Sequence, residues 1–541
     1  MSEQRVNMDL NQLIDECFDL SFLGTENFAR TDYKSILLLG GGTAGYLSAL
    51  ALKKTHPYLD IKIVESSKIP VIGVGESTTT EIIPFLHHFL GIDPVDFFQE
   101  VKPTFKLGIQ FDWGKKNERP FHFNFFAGHL FENLHYKNHT GSFNWPAQLM
   151  YDKKFPVIST GDGGFYSLLN SIPFAYHLEN RSLITYLKKK IIENDIAIID
   201  EEITSIERDS EGNLLSLITN SMEKLEADFF IDCSGFRSKL LGDELQEDFI
   251  SYEDSLFCDK AITFNLSNNM DPAPYTEAIT MNCGWCWRIP LRNEDHLGYV
   301  FSSKYLSEED AIEEIKNKFN PNSEQNFKVI PFKTGRHKRA LVNNMMAIGN
   351  SYAFIEPLES TAIQTLVQSI MILCRLFPKN NNDQISKDAI NKEISENWDS
   401  FKAFLAVHYK FNEKLDTQFW QEVRQSVSLD RAESIISLYH QKAPLSYTHF
   451  GNNHGYTALE SLVFNSYSYD SLLMGQGLLP NSQPKPRFSK EELETRLESY
   501  KKMSEIAFSQ KELFENQELF IEGIWQELFA NPDSWINETN V

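Results

Sequence analysis

The stretch that most constrains the fold runs from residue 35 to residue 76. An apolar run, Ile36–Leu39, stops at Gly40, Gly42 and Gly45, which hold a G-x-G-x-x-G spacing; a helix-like stretch follows, and a second apolar run, Leu59–Val64, ends on Glu65. The order is strand, tight turn, helix, strand, and it predicts an α/β protein with a Rossmann-like dinucleotide-binding core. In such a unit Gly40, Gly42 and Gly45, with Thr43 and Ala44 among them, let the backbone come close to a pyrophosphate at the helix N-terminus, and Glu65 accepts hydrogen bonds from an adenosine ribose. The plain alternative is a glycine-rich turn that binds nothing. Nicotinamide and flavin nucleotides share this pyrophosphate geometry. The second glycine-rich segment, Gly73-Val74-Gly75-Glu76-Ser77-Thr78, suits a backbone running close to another part of an extended cofactor, and it favours a flavin.

At 541 residues the chain is long enough for large cores and more than one domain. Its 51 Lys and Arg against 75 Asp and Glu give a formal net charge of −24, which argues against nucleic-acid backbones and anionic membranes as partners. Six cysteines, at 17, 233, 258, 283, 286 and 374, are too scattered for a disulfide framework. Cys283 and Cys286 have C-x-x-C spacing but no second pair or nearby histidine, so no metal site is expected. The N-terminus has no charged-then-apolar signal pattern, and a cytoplasmic protein is expected. The apolar segment 366–377 is too short to span a bilayer and reads as a buried helix.

Residues 1–34 read as an N-terminal arm or extra helix, 35–377 as a discontinuous FAD-binding core, and 378–541 as a largely helical part that covers the substrate. Within the core, residues 81–89 read as the start of a helix, 178–190 as a helix with Arg181 in its first turn, and 195–199 as a strand. The runs 203–206, 214–218 and 227–231 could build a small sheet, and the last leads into Asp232-Cys233-Ser234-Gly235-Phe236-Arg237, a turn that returns to the nucleotide fold. Residues 105–145 are dense in aromatics, and the alternation Phe105, Leu107, Ile109, Phe111 predicts one strand with Lys106 on its other face. That face is either covered or wet; a lysine is ordinary on the second and unusual on the first. A second organising stretch, 341–377, carries Met346-Ala347-Ile348-Gly349 and then Glu356-Pro357-Leu358-Glu359-Ser360-Thr361 leading into a long helix, whose free N–H groups can hold an anion or a flavin carbonyl. The segment 489–530 reads as amphipathic helix.

Six separated motifs together resemble the flavin-dependent halogenases of the tryptophan halogenase family. They are Gly40-Gly41-Gly42-Thr43-Ala44-Gly45, Gly73-Val74-Gly75-Glu76-Ser77-Thr78, Phe105-Lys106-Leu107-Gly108-Ile109, Asp232-Cys233-Ser234-Gly235-Phe236-Arg237, Trp285-Cys286-Trp287-Arg288-Ile289-Pro290 and Glu356-Pro357-Leu358-Glu359-Ser360-Thr361. The W-x-W-x-I-P form is the most specific of them. The resemblance implies a GR2-type flavin monooxygenase-like core binding FAD through the first two motifs, including Gly75 and Ser77, with Ile348 and Gly349 against the flavin. It further implies Lys106 as the lysine that receives hypohalous acid and Glu359 as the carboxylate that orients the halogenating species or assists loss of the ring proton. Thr361 and Ala362 correspond to the halide position, and Trp285, Trp287 and Pro357 to a tunnel that keeps flavin and substrate apart. Reduced FAD, chloride or bromide, and a separate NAD(P)H-dependent flavin reductase follow from the same resemblance, with a small aromatic substrate and no nucleic acid or membrane partner; a homodimer is left open.

The chain departs from that pattern in places. Ala362 stands where the tryptophan enzymes usually have glycine, and Cys286 is oxidisable, so its thiol should point away from the tunnel. Phe125 keeps an aromatic beside the substrate ring, while Phe123 replaces a histidine. Glu460 and Phe464 match residues that hold the amino-acid end and ring of tryptophan, but Asn453-His454 stand where a tyrosine pair is expected. An indole in another or larger molecule is therefore as good a substrate class as free tryptophan. Two other functions stand beside halogenation: an FAD-dependent aromatic monooxygenase, in which Lys106 and Glu359 would be dispensable, and a flavin-binding protein without activity.

Overall fold

The glycine-rich unit folds as expected, with β1 (Ser35–Leu39), α1 (Thr43–Thr55) and β2 (Asp60–Glu65) in succession. The computed structural model describes residues 28, 30–69, 75–126, 144–161, 164–169, 172–268, 271–322, 324–443, 445, 463–481, 489–516 and 520–521. Gly73, Asn453, His454 and Glu460, together with most of the N-terminal arm, lie outside the described residues.

The aromatic-rich segment departs from the single expected strand. It divides into β3's partner system and a second sheet: β3 (Gly75–Ser77), β4 (Thr104–Lys106) and β6 (Ala175–Glu179) pair antiparallel, while β5 (Gly108–Asp112) enters a different sheet. Leu107 is the switch point, because its N–H donates to the Pro274 carbonyl and its own carbonyl accepts from the Phe125 N–H. The helix expected from residue 178 begins instead at Asn180, as α2 (Asn180–Glu193), after the strand β6. Glu179 stops the strand and starts the helix by accepting from the N–H groups of Arg181 and Ser182. Residues Pro84–Phe89 form a π-helical turn rather than a plain α-helix.

The run expected as the third strand of the small sheet is β7 (Phe229–Asp232), and it belongs to the central sheet; the small sheet closes with Lys224–Glu226 instead. The central sheet has the order Ala197–Asp200, β2, β1, β7, β9 (Met345–Ala347), Leu341–Val342, parallel except at the last pair. Its strands are apolar on both faces because helices cover them, α1 packing against α2 and α3 (Ala362–Leu376). A seven-stranded sheet carries β8 (Gly284–Pro290) between Glu294–Phe301 and Thr276–Met281, and continues through β5 to Phe121–Asn124. The long helix α4 (Gln384–Phe411) packs on α3, and a short C-terminal helix, α5 (Gln510–Glu515), follows Lys490–Glu505. No helix among the described residues is long and apolar enough to cross a membrane.

Candidate active site

The glycine loop borders two adjoining cavities. One, of about 320 Å³, is lined by Gly42, Thr43, Ala44, Gly75, Ser77, Trp287, Ile348, Gly349, Pro357 and Ala362; the other, of about 980 Å³, by Gly40, Gly42 and Glu65 among others. Gly42, Cys233, Gly235, Phe236 and Asn350 line both, so the two form one elongated groove across the C-terminal ends of β1 and β7. Gly45 does not line the groove: a Cβ there would stand 1.9 Å from the Gly40 carbonyl oxygen, so its role is the close packing of turn on helix. At Gly42 a Cβ would meet nothing within 4 Å, which leaves room for a ligand to come against the backbone. Glu65 stands at the tip of β2, where its carboxylate accepts from Tyr46 Oη at 2.6 Å and from Lys188 Nζ at 2.6 Å. The groove's length, its open glycine face and a carboxylate at one end fit an extended dinucleotide such as FAD.

At the other end of the groove the turn before α3 leaves polar groups without partners. Ser360 has φ of +60°, a left-handed conformation that a non-glycine residue adopts rarely, and its N–H closes on the Pro357 carbonyl. Ser360 Oγ and Thr361 Oγ1 are buried and make no hydrogen bond. Thr361 precedes the free N–H groups of α3, and Ala362 is exposed to the groove, so this corner offers a hydroxyl and a helix N-terminus to an anion.

Lys106 lies on the covered side of its strand, with 0 % exposure. Its Nζ donates to the Thr78 carbonyl at 2.9 Å and stands 5.3 Å from the centre of the Phe125 ring. Burial pushes the ammonium down to about 7, and the Glu359 carboxylate opposes that shift. Beneath the strand, Ser77, Thr276, His177 and Thr104 form a chain of hydrogen bonds, Ser77 Oγ to Thr276 Oγ1 at 2.6 Å and Thr276 Oγ1 to His177 Nε2 at 2.9 Å. Burial, with the Lys106 charge acting the same way, holds His177 well below the ordinary imidazole range.

Glu359 is 3 % exposed and meets His408 of α4, Oε1 to Nε2 at 2.6 Å. Three residues earlier Glu356, fully buried, accepts from Trp285 Nε1 at 2.7 Å and from Tyr409 Oη. Adjacent residues of one helix thus hold the two acids of the Glu356-Pro357-Leu358-Glu359 turn. Burial pushes Glu356 up to about 7, against the hydrogen bonds from Tyr409 and Trp285 that favour its anion. Trp285 and Trp287 point to the same face of β8 with ring centres 6.1 Å apart. Cys286 points to the opposite face, where it packs with Ile262, Phe264 and Tyr299, away from the tryptophans as the sequence reading requires. Phe464 stacks on Phe404 at 3.8 Å, and Phe404 meets the His408 ring edge-on, so Phe464 stands in the wall behind Glu359.

Sequence reading did not single out His408, Glu356 as a ligand of Trp285, or the Thr78 carbonyl. A histidine inside the apolar run Phe404-Leu405-Ala406-Val407 is the one local signal that could have found His408. Glu356 stood in a quoted motif without a partner, and a backbone carbonyl leaves no mark in sequence.

The family model described as tryptophan halogenase matches residues 35–492. The tryptophan 7-halogenase RebH of Lentzea aerocolonigenes is 30% identical over 488 residues, 84% of this chain and 91% of its own. Among solved structures, MibH, a lathipeptide tryptophan 5-halogenase, is 37% identical with a TM-score of 0.86, covering 94% of this chain and 98% of its own. BrvH, a flavin-dependent halogenase from Brevundimonas sp. BAL3, is 28% identical with a TM-score of 0.78, covering 90% of this chain and 99% of its own.

Proposed function

The chain belongs to the tryptophan halogenase family of flavin-dependent enzymes, and from that premise we propose that it halogenates the ring of an indole, with Lys106 and Glu359 as its catalytic residues. The observation that carries the reading is Lys106: a fully buried amine pushed down to about 7, within the electrostatic reach of a buried glutamate. The groove would hold reduced FAD, provided by a separate flavin reductase, and that group, when bound, would supply hypohalous acid from dioxygen and chloride or bromide. Gly40, Gly42, Thr43, Ala44 and Glu65 would hold its nucleotide end, Gly75, Ser77, Ile348 and Gly349 its ring end. Thr361 Oγ1 and the free N–H groups at Ala362 would hold the halide.

Trp287 and Pro357 line the groove, whereas Lys106 and Glu359 do not. This arrangement supports a wall between cofactor and substrate, through which only a small oxidant passes. With its ammonium near neutrality, Lys106 can present either N–H donors or a free amine lone pair to hypohalous acid, while the Thr78 carbonyl fixes the Nζ position. The halogen would be delivered to a ring carbon as the O–X bond breaks and hydroxide leaves; Glu359 would take the ring proton and pass it on to that hydroxide, so that water forms and the carboxylate is restored. Glu359 also offsets positive charge on the ring as the new bond forms.

The favoured substrate is a small indole such as free tryptophan, and a tryptophan held within a peptide is the second reading, favoured by the 37% identity, with 94% of this chain covered, to MibH, a lathipeptide tryptophan 5-halogenase. Purified protein given reduced FAD, dioxygen, bromide or chloride, and a panel of free tryptophan, indoles and tryptophan-containing peptides tests both. A halogen isotope pattern on one class of product names the substrate; hydroxylated products in place of halogenated ones would reject the reading in favour of a monooxygenase.

A further inference from the structure

β4 is an edge strand: it pairs with β6 on one side through Thr104 and Lys106, so the backbone N–H and C=O of Phe105, the residue between them, face the other side. That outer edge is met by a side chain from the far end of the protein. Gln510, the first residue of α5 and fully buried, accepts from the Phe105 N–H at 2.6 Å through Oε1 and donates to the Phe105 carbonyl at 3.0 Å through Nε2. The same Nε2 is 3.2 Å from the Pro272 carbonyl, and two residues on, the Pro274 carbonyl accepts from Leu107. The residues on either side of Lys106 are therefore both tied to one local frame. The Phe105 ring is fixed as well, stacked at 4.6 Å on Phe155 and close to Phe514 and Phe520.

We propose that Gln510 is a positioning residue for Lys106: its carboxamide acts as a one-residue strand that completes the edge of β4 and thereby sets where the lysine amine stands. The family match ends at residue 492, so this clamp lies beyond the matched segment. Its own anchorage is explicit. Ser509 caps α5, accepting from the Glu512 N–H while Glu512 accepts from the Ser509 N–H; Lys511 N–H donates to Asp271; and the Phe508 backbone exchanges hydrogen bonds with Phe155 and Val157. A buried amide with both of its functions used on one backbone residue is poorly replaced by any other side chain. The inference rests on the proposed role of Lys106.

The test measures the share of oxidising equivalents recovered as halogenated product, against the share trapped as hypohalous acid by a small thiol or amine scavenger. Gln510→Ala withdraws both hydrogen bonds, and the halogenated share should fall roughly tenfold to a hundredfold, as expected when a reacting group is displaced by about 1 Å. Gln510→Glu keeps the acceptor for the Phe105 N–H but, when ionised, turns an oxygen toward two carbonyls. Its halogenated share, compared with the parent protein's at each pH, should recover as pH is lowered and the acid protonates, and by more than the accompanying rise in melting temperature accounts for. Ser307→Ala, which weakens only the cap of the separate helix Glu308–Phe319, should lower the melting temperature without changing the share. In a Lys106→Ala background, Gln510→Ala should have no further effect on it. If Lys106→Ala itself halogenates normally, the proposed catalytic role fails. If Lys106→Ala loses halogenation while both Gln510 variants partition oxidant like the parent protein, or change the share no more than Ser307→Ala does at an equal loss of melting temperature, the clamp is overturned and that role stands.

Discussion

Glu359 and His408 share one proton. The carboxylate Oε1 is 2.6 Å from Nε2 of the imidazole, whose Nδ1 lies 3.0 Å from the Phe404 carbonyl. A carbonyl only accepts, so Nδ1 carries a hydrogen; the neutral ring would then offer Nε2 as an acceptor, and a bond that short to a carboxylate needs a proton between them. Whether written as acid and imidazole or as carboxylate and imidazolium, the pair has no net charge. Phe111, Trp113 and Phe404 surround the imidazole with rings, so the pair is held without water access from that side. Lys106 therefore stands beside an acid whose charge is balanced from behind.

Glu359→Gln should keep the shape of the turn, because the amide can donate to a neutral His408 Nε2. It removes the carboxylate end of the Glu359–His408 pair, which can offset the cationic ring locally and take its proton although the pair as a whole is balanced, an effect expressed in the transition state. We expect halogenation to slow by roughly a hundredfold to a thousandfold, about 2.7–4 kcal/mol, with hypohalous acid escaping to a scavenger. Single-turnover product formation with trapped oxidant checks it; a wild-type rate with no extra escape would leave Glu359 as an acid at the start of a helix.

Lys106→Met should abolish halogenated product and also change stability with pH. The ammonium is held at about 7 against an ordinary value of 10.5. Between those values the unfolded chain binds a proton that the folded one does not, so the wild-type protein gains stability as pH rises through the window. The methionine variant lacks this penalty. Its melting temperature should exceed the wild type's most at and below pH 7, with the advantage shrinking toward pH 10; a constant difference across that range would contradict the buried amine.

Two glycines of the same loop should respond differently. At Gly42 a side chain has open space, so Gly42→Val should fold with a normal melting temperature yet fail to bind FAD in a fluorescence titration. Gly40 has φ of +121°, and a Cβ there would stand 2.3 Å from the Cys233 carbonyl oxygen. Gly40→Ala should therefore lower stability, by at least the about 1–3 kcal/mol of a strained backbone. Undiminished FAD affinity in folded Gly42→Val would remove the groove as the flavin site.

Glu356→Gln isolates the buried acid that holds Trp285. Its carboxyl is raised from 4.5 to about 7, so between those values the folded chain keeps a proton the unfolded chain has lost, and stability declines as pH rises. The amide variant lacks that decline. Its melting temperature should improve relative to wild type from pH 4.5 to 7 and level off above; a parallel pair of pH curves would mean that Glu356 is ionised throughout.

Much of the site was legible because its motifs describe backbone. The glycines announced a turn open to a phosphate, and Cys286 between two tryptophans had to face the other side of a strand because side chains alternate. The alternation Phe105, Leu107, Ile109, Phe111 was real but misleading: the residues do alternate, yet Leu107 leaves one sheet for another, and no periodicity encodes which neighbour a strand will find. The same holds for Phe229–Asp232, whose apolar run suits the small sheet and the central sheet alike.

The sequence by itself determined the nucleotide-binding unit, the family and the residue types that the chemistry needs, since each is carried by short spacings along the chain. Tertiary structure decided what those residues are. Whether Lys106 is a solvated surface lysine or a near-neutral amine depends on the Thr78 carbonyl 28 positions away and on complete burial. Glu359 acquires its proton partner from 49 positions away, and the strand under the lysine acquires its edge from Gln510, 405 positions away. Desolvation and hydrogen bonding act through space over a few ångströms, so they are properties of the packed neighbourhood, and only the fold brings those neighbours together.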